Sequence, residues 1–255
     1  MKASYSLSLR RLRSLYALAG VLFLSACAST PPPTSVDPRT PDDVPVAQTT
    51  ANPLAIDDPL GPFNRRVYRF NALTDHYLLL PAVHVYDTVA PSPVRDGIGN
   101  FFSNLDEINT FANSVLQLKP RASAVTASRF VINSTLGLAG FFDPATHFGL
   151  QKRDEDFGQT LGHYGVGTGP YLVLPFFGPS DMRDAIGLAA DQGLFYVIDP
   201  LQINGNFPAS AAYNGFYALN KREQTNFRYY QTGSPFEYLL VRMVYLNYRA
   251  LQVNQ

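Results

Sequence analysis

Residues 162–180 read GHYGVGTGPYLVLPFFGPS, and three alternate glycines beside a histidine could do two kinds of chemistry. Backbone N–H groups at Gly165, Gly167 and Gly169 could close on a phosphate, or His163, next to Tyr164, could act as a general base. A phosphate loop needs a helix whose N-terminus faces the anion, together with Gly-Lys-Ser/Thr or G-x-G-x-x-G spacing. Here the spacing is G-x-G-x-G, Pro170 follows, and an apolar run continues from Tyr171 to Phe177. The pattern therefore fits a loop with backbone freedom feeding a buried or lipid-facing segment. The other histidines are His76, His84 and His147, and neither an HExxH helix nor a G-x-S-x-G elbow occurs. Asp154-Glu155-Asp156, behind Lys152-Arg153, reads as a solvated turn of mixed charge. The expectation is no catalytic residue, no metal, no cofactor and no enzyme activity.

The single cysteine, Cys27, belongs to a different chemistry. Basic residues up to Arg13 precede a ten-residue apolar stretch, Leu15 to Leu24, too short to span a bilayer and suited to a signal-peptide core. Leu24-Ser25-Ala26-Cys27 then resembles a bacterial lipobox, in which the thiol is acylated. Residues 1–26 are thus expected to be a lipoprotein signal peptide, and Cys27 the lipidation site. Ala28, rather than aspartate, implies sorting to the outer membrane. Residues 27–56, rich in Pro, Thr, Ser and Asp, should form a disordered tether reaching on the order of 80 Å when stretched. The whole chain is formally neutral, and its four leader charges are all basic, so the remainder is net acidic. That balance argues against a nucleic-acid partner.

From Asp57 onward the elements that must position the apolar run read as helices, frequently interrupted by Pro and Gly. Phe63, Val67, Phe70 and Leu73 recur at helical spacing until Pro81 ends the run. Phe101, Leu105, Ile108, Phe111 and Val115 form a second stripe, and Val125, Ser128, Ile132 and Leu136 a third. Ser234-Pro235-Phe236-Glu237 reads as a capping box opening a helix with Phe236, Leu239, Met243, Leu246, Ala250 and Val253 on one side and Arg242 and Arg249 off that stripe. Each stripe is read as core. The doublets Phe101-Phe102, Phe141-Phe142 and Phe176-Phe177 should place one ring on each side of an element.

DPLGPFNRRVYRFN (58 onward), NSVLQLKP (113–120), SRFVINSTLGLAGFFDPAT (128–146), FGQTLGHYGVGTGPYLVLPFFGPSDMRD (157–184) and SPFEYLLVRMVYLNYRALQV (234–253) together resemble the MlaA/VacJ family of outer-membrane lipoproteins. Gly61-Pro62 stands where that family's pattern has an acidic-Gly pair, and the likeness is weakest between about Gly193 and Ser234. The resemblance implies a mostly α fold in which residues 57–255 form a single ring-like helical domain with a central amphipathic channel. It further implies a non-enzymatic role: phospholipid passes from the outer leaflet to a soluble periplasmic carrier of the MlaC type, maintaining lipid asymmetry. A trimeric porin is the implied scaffold. Phe70 and Asn71 fall in the family's Phe-Asn motif near the channel. Gly165, Gly167 and Gly169 would supply backbone freedom, and Tyr171, Leu172, Val173, Leu174, Phe176 and Phe177 apolar cover. Two other classes remain open: a structural lipoprotein bracing a porin or the envelope, and an anchored hydrolase.

Overall fold

The computed structural model describes residues 58–231 and 233–254. Cys27, the signal peptide and the tether lie outside the described residues. The described part is mainly helical: α1 (Gly61–Thr74), a π-helical turn (Asp75–Leu79), α2 (Leu80–Val89), α3 (Ser92–Leu116), α4 (Pro120–Thr135), α5 (Pro144–His147) and α6 (Phe157–His163) come first. A hairpin of β1 (Tyr171–Leu174) and β2 (Gly178–Asp181) follows, then α7 (Met182–Ile198), α8 (Phe207–Glu223) and α9 (Glu237–Val253).

Local chemistry explains the fragmentation. A proline sits in the first turn of α1 through α5 and of α8, where its missing N–H costs nothing and its fixed φ suits helix entry. Side-chain caps open four helices: Asp143 accepts from the Thr146 N–H, Asp156 from Gln159, Asp181 from Asp184 and Asn206 from Ala209. Pro81 ends the apolar run without breaking the helical path. The wide turn just before it, closed by Leu80 N–H donating to the Asp75 carbonyl, changes the hydrogen-bond register where a proline cannot donate. The chain stays helical to Val89.

The capping box expected at Ser234 is displaced as well. The Ser234 hydroxyl accepts the Phe236 N–H, and α9 starts only at Glu237. Glu237 is buried, and its carboxylate accepts from the Tyr68 hydroxyl at 2.8 Å and the Tyr230 N–H at 2.5 Å. A tertiary partner outbid the local one.

The apolar stripes correct the expectation more deeply. Val67 of the first stripe is buried, but Phe63, Phe70 and Leu73 are exposed; the inward face of α1 carries Asn64, Tyr68 and Asn71. On α3, Leu105 of the second stripe is buried beside Phe102, but Phe111 and Val115 face out while Asn104, Glu107, Thr110, Asn113 and Ser114 are buried. On α4 the buried line is Ala122, Thr126, Arg129 and Asn133, with Leu136 exposed beyond its end. On α9, Arg242 and Arg249 point inward with Tyr238, and Leu239 and Leu246 pack half-buried against the same core, whereas Leu240, Val244, Tyr248 and Leu251 line the outside and Phe236, just ahead of the helix, is exposed. Among the described residues, buried polar side chains outnumber buried apolar ones almost two to one. No described helix is long and apolar enough to cross a membrane.

Candidate functional site

FNRRVYRFN holds two Phe-Asn pairs seven residues apart, which puts both phenylalanines on one side of α1 and both asparagines on a neighbouring side. Both carboxamides grip β1. Asn64 Nδ2 donates to the Tyr171 carbonyl at 3.0 Å, and its Oδ1 accepts the Val173 N–H at 2.9 Å. Asn71 Nδ2 donates to the Leu174 carbonyl at 2.9 Å, and its Oδ1 accepts the Phe176 N–H at 2.8 Å. Each amide thus meets a carbonyl and the N–H two residues on, as a neighbouring strand would. Four backbone groups of a two-stranded hairpin are satisfied by one helix face. Asn64, which the sequence reading did not single out, is as much a part of this clamp as Asn71; the repeated Phe-Asn pair was the available signal.

Register then sorts the hairpin. Tyr171 and Val173 turn inward onto Val67, Tyr68 and Tyr238, while Leu172 and Leu174 are half-buried on the other face. At the hairpin tip, Phe176 and Phe177 are 67% and 64% exposed. The expected one-in, one-out split therefore fails for this doublet, because Pro175–Phe177 form the turn rather than a strand. It fits the other two doublets, in which Phe102 is buried beside half-buried Phe101 and Phe142 is exposed beside half-buried Phe141. Phe176 also has φ of 68°, a left-handed conformation that costs a non-glycine residue roughly 1–2 kcal/mol. Its ring lies edge-on to Phe70, centroids 5.2 Å apart. Phe70, Asn71, Leu174 and Phe176 are accordingly brought together at one end of the hairpin.

The glycine loop sits at the other end. Gly165 and Gly169 have positive φ, 85° and 68°, whereas Gly167 does not, and a side chain at Gly165 or Gly167 would meet open space. His163 lies edge-on to Tyr164, whose hydroxyl donates to the Leu116 carbonyl at 2.5 Å. Asp156 and Glu155 are not a simple solvated turn. Asp156 caps α6 and takes both terminal nitrogens of Arg249, at 2.7 and 2.8 Å, and Glu155 pairs with Lys119 at 3.0 Å. Burial works to raise the Asp156 carboxyl, but the Arg249 bonds and the helix N–H outweigh it and hold it below the ordinary carboxylate range. No cluster of described residues has the make-up of a metal site.

A match to the MlaA lipoprotein family spans residues 56–252. The chain belongs to that family. The match includes the stretch from Gly193 to Ser234, where the motifs quoted above are weakest. Among MlaA relatives, the "Intermembrane phospholipid transport system lipoprotein MlaA" of Escherichia coli (strain K12) is 43% identical over 138 residues, 52% of this chain and 55% of that protein. A similarly named protein of Haemophilus influenzae is 36% identical over 142 residues, 54% of this chain and 57% of that one. An uncharacterised protein of Rickettsia typhi is 39% identical over 148 residues, 58% of each. The chain thus spans a little over half the length of these curated relatives. A solved structure described as the structural basis for maintenance of bacterial outer membrane lipid asymmetry covers 78% of this chain and 100% of its own, with 31% identity and a TM-score of 0.62. The mostly helical MlaA fold follows from that likeness.

Proposed function

We propose that this MlaA-family protein sits in the periplasmic leaflet of the outer membrane and passes phospholipid from the outer leaflet toward a soluble periplasmic carrier of the MlaC type, without making or breaking a bond. Lipid asymmetry is maintained as a result. A trimeric porin holds it in place, and acylated Cys27 tethers it. The names of its relatives support this reading, and one observation carries it: α1, α3, α4 and α9 turn many large apolar side chains outward and, taken together, bury more polar side chains than apolar ones. In water such a surface aggregates; against acyl chains it is the solvated state.

The energetic need is large. Each methylene moved into water costs about 0.8 kcal/mol, so two acyl chains cost on the order of 20 kcal/mol. A protein lowers that barrier by offering the tails apolar cover while the head follows a hydrated path, the role of a ring-like domain with an amphipathic channel. Phe70, Phe176 and Phe177, with Leu172 and Leu174 beside them, supply the cover. Tyr171 is packed into the core and supports it from behind. Asn71 holds the hairpin in register, and Gly165, Gly167 and Gly169 leave the preceding loop free to yield.

Labelled phospholipid transfer from porin-containing liposomes to the carrier tests the proposal. Transfer well above the protein-free rate is expected. Transfer at that rate would leave a structural brace, and release of free fatty acid would mean a hydrolase. Cys27→Ala should abolish membrane fractionation; normal membrane retention would contradict the lipidation.

A further inference from the structure

Asp181 closes β2, caps α7 and is 0% exposed. Its Oδ1 accepts the Asp184 N–H at 2.8 Å, the ordinary cap bond, but its Oδ2 has no hydrogen-bond partner among the described residues. The cation beside it, Arg183 Nη2, stands 3.8 Å away, beyond hydrogen-bond reach. Arg183 is turned instead to Asp184, with Nε and Nη2 each 3.0 Å from that carboxylate's Oδ1. Arg249, reaching in from α9, is committed as well. It donates through Nε to Asp184 at 2.5 Å and through its terminal nitrogens to Asp156. Three carboxylates thus share two guanidinium groups, and the one left over is the most deeply buried of the three.

The other elements packed here do not match that charge. From α9 the Tyr245 hydroxyl donates to Asp184 at 2.7 Å, and Arg242 is held by Asp58 at 2.9 Å. On β1, Tyr171 lies opposite Asp181 in the hairpin register. Burial pushes both phenols up, so neither ionises near neutral pH. The glycine loop adds two carbonyls: Thr168 and Pro170 accept the Arg183 and Met182 N–H groups, each at 3.1 Å. α3 meets α7 further along, where Asn113 donates to Asp191 at 2.8 Å. One joint therefore ties the hairpin, the glycine loop, α7 and α9. Burial raises the Asp181 carboxyl, the Asp184 N–H lowers it, the Asp184 carboxylate raises it again, and Arg183 and Arg249 lower it; the balance stands at about 6.

We propose that Asp181 is a proton-operated latch: protonated, it lets the hairpin, the glycine loop and the first turn of α7 lock together, and ionised, it leaves an unmatched buried charge that loosens the hairpin against α7. A buried carboxylate short of partners is costly, and a proton removes that cost. The folded value lies above the unfolded one, near 3.9. The stabilisation supplied by the proton is therefore whole below about pH 4 and is lost as pH rises through about 6. Phe176 and Phe177 ride on the tip of this hairpin, so a looser joint gives those rings more travel. The latch depends on no part of the transport reading.

The test uses the full-length protein in detergent. Carbon-13 NMR of the aspartate carboxyls should show one resonance titrating near pH 6 that Asp181→Asn removes. Hydrogen exchange, corrected for the intrinsic pH dependence of the chemistry, should show the β1 and β2 amides opening about tenfold or more as often at pH 8 as at pH 5 in the wild type. Asparagine caps a helix and matches the neutral acid in shape, so Asp181→Asn should keep the pH 5 level of protection through pH 8. Asp191→Asn, which removes a second carboxyl raised by burial on α7, should leave the pH dependence of the hairpin in place. A plain structural cap would instead make the Asp181→Asn change equal at both pH values. That result, an Asp181 midpoint near 4, hairpin opening unchanged between pH 5 and pH 8, or a pH dependence abolished by Asp191→Asn would overturn the latch.

Discussion

Two interiors coexist in this chain. Beneath the hairpin, Tyr68 stands edge-on to Tyr229, Tyr230 and Tyr238, with centroids 5.0, 5.7 and 5.6 Å away, and Val67 and Val173 fill the gaps. Between α3, α4 and α5 the interior is ionic. Arg129, 2% exposed, donates to Glu107 at 2.7 Å, Asp143 at 3.0 Å and the Thr146 hydroxyl at 3.0 Å, while Asn133 donates to Asp143 at 2.9 Å. The tyrosine core tolerates small losses because dispersion and area are shared among many atoms. The ionic interior does not, since each group depends on one partner in a low-dielectric surround. Helices that spend their apolar residues on the outside must be joined by something other than grease, and here polar side chains with fixed geometry join them.

The sharpest way to break this contrast is to remove the hub. Arg129→Met leaves the buried Glu107 carboxylate without its cation, and the expected loss is about 3–5 kcal/mol in a denaturation curve of the detergent-solubilised protein. In the other interior, Val173→Ala, at a site 0% exposed, removes two methyl groups and should cost about 2 kcal/mol. If the valine change proved the more damaging, the ionic cluster would be ornament and the comparison would collapse.

How much of this was legible beforehand follows from the same contrast. Helical period was readable: the spacing of Phe101, Leu105, Ile108 and Phe111 located α3 correctly, because any helix with two distinct faces shows that period. Which face points inward was not readable from period alone. Asn104, Glu107, Thr110, Asn113 and Gln117 recur at the same three-or-four step and are buried, alongside Phe102 and Leu105. Water as the assumed solvent placed Phe111 and Val115 inside, where only Leu105 of that stripe is buried. The hairpin clamp was half legible, since Asn71 was named and Asn64 was not, though the Phe-Asn repeat links them. Asp156, Glu237 and Arg249 were misjudged because their partners lie far along the chain, and local charge pattern carries no information about them.

Acid should sharpen the comparison further. Burial works to raise the Asp143 carboxyl, but hydrogen bonds from Thr146, Arg129 and Asn133 outweigh it and hold the group at about 2. Its folded value is therefore below the unfolded one, near 3.9. The stabilisation is complete above about pH 4 and is lost as pH falls toward 2. Hydrogen exchange should accordingly show α4 and α5 losing protection across that window before β1 does. Asp143→Asn should melt lower than wild type at pH 7, with the difference closing near pH 2. A difference that is constant with pH would mean that the carboxylate charge contributes nothing.

The smallest expected effect on stability falls at Phe176, where the molecule carries strain at an exposed ring. Phe176→Gly removes the left-handed penalty, which favours folding, but it also removes the contact with Phe70 and loosens the unfolded chain. These terms are each about 1 kcal/mol and opposed, so the melting temperature should move little. The Asn71–Phe176 backbone bond needs no side chain and survives. If the ring is there to cover acyl chains, lipid transfer in the liposome assay should fall severalfold in the same variant, and Phe176→Leu, apolar but strained again, should recover much of it. Were the ring merely a packing residue, stability and transfer would fall together, and leucine would restore both or neither.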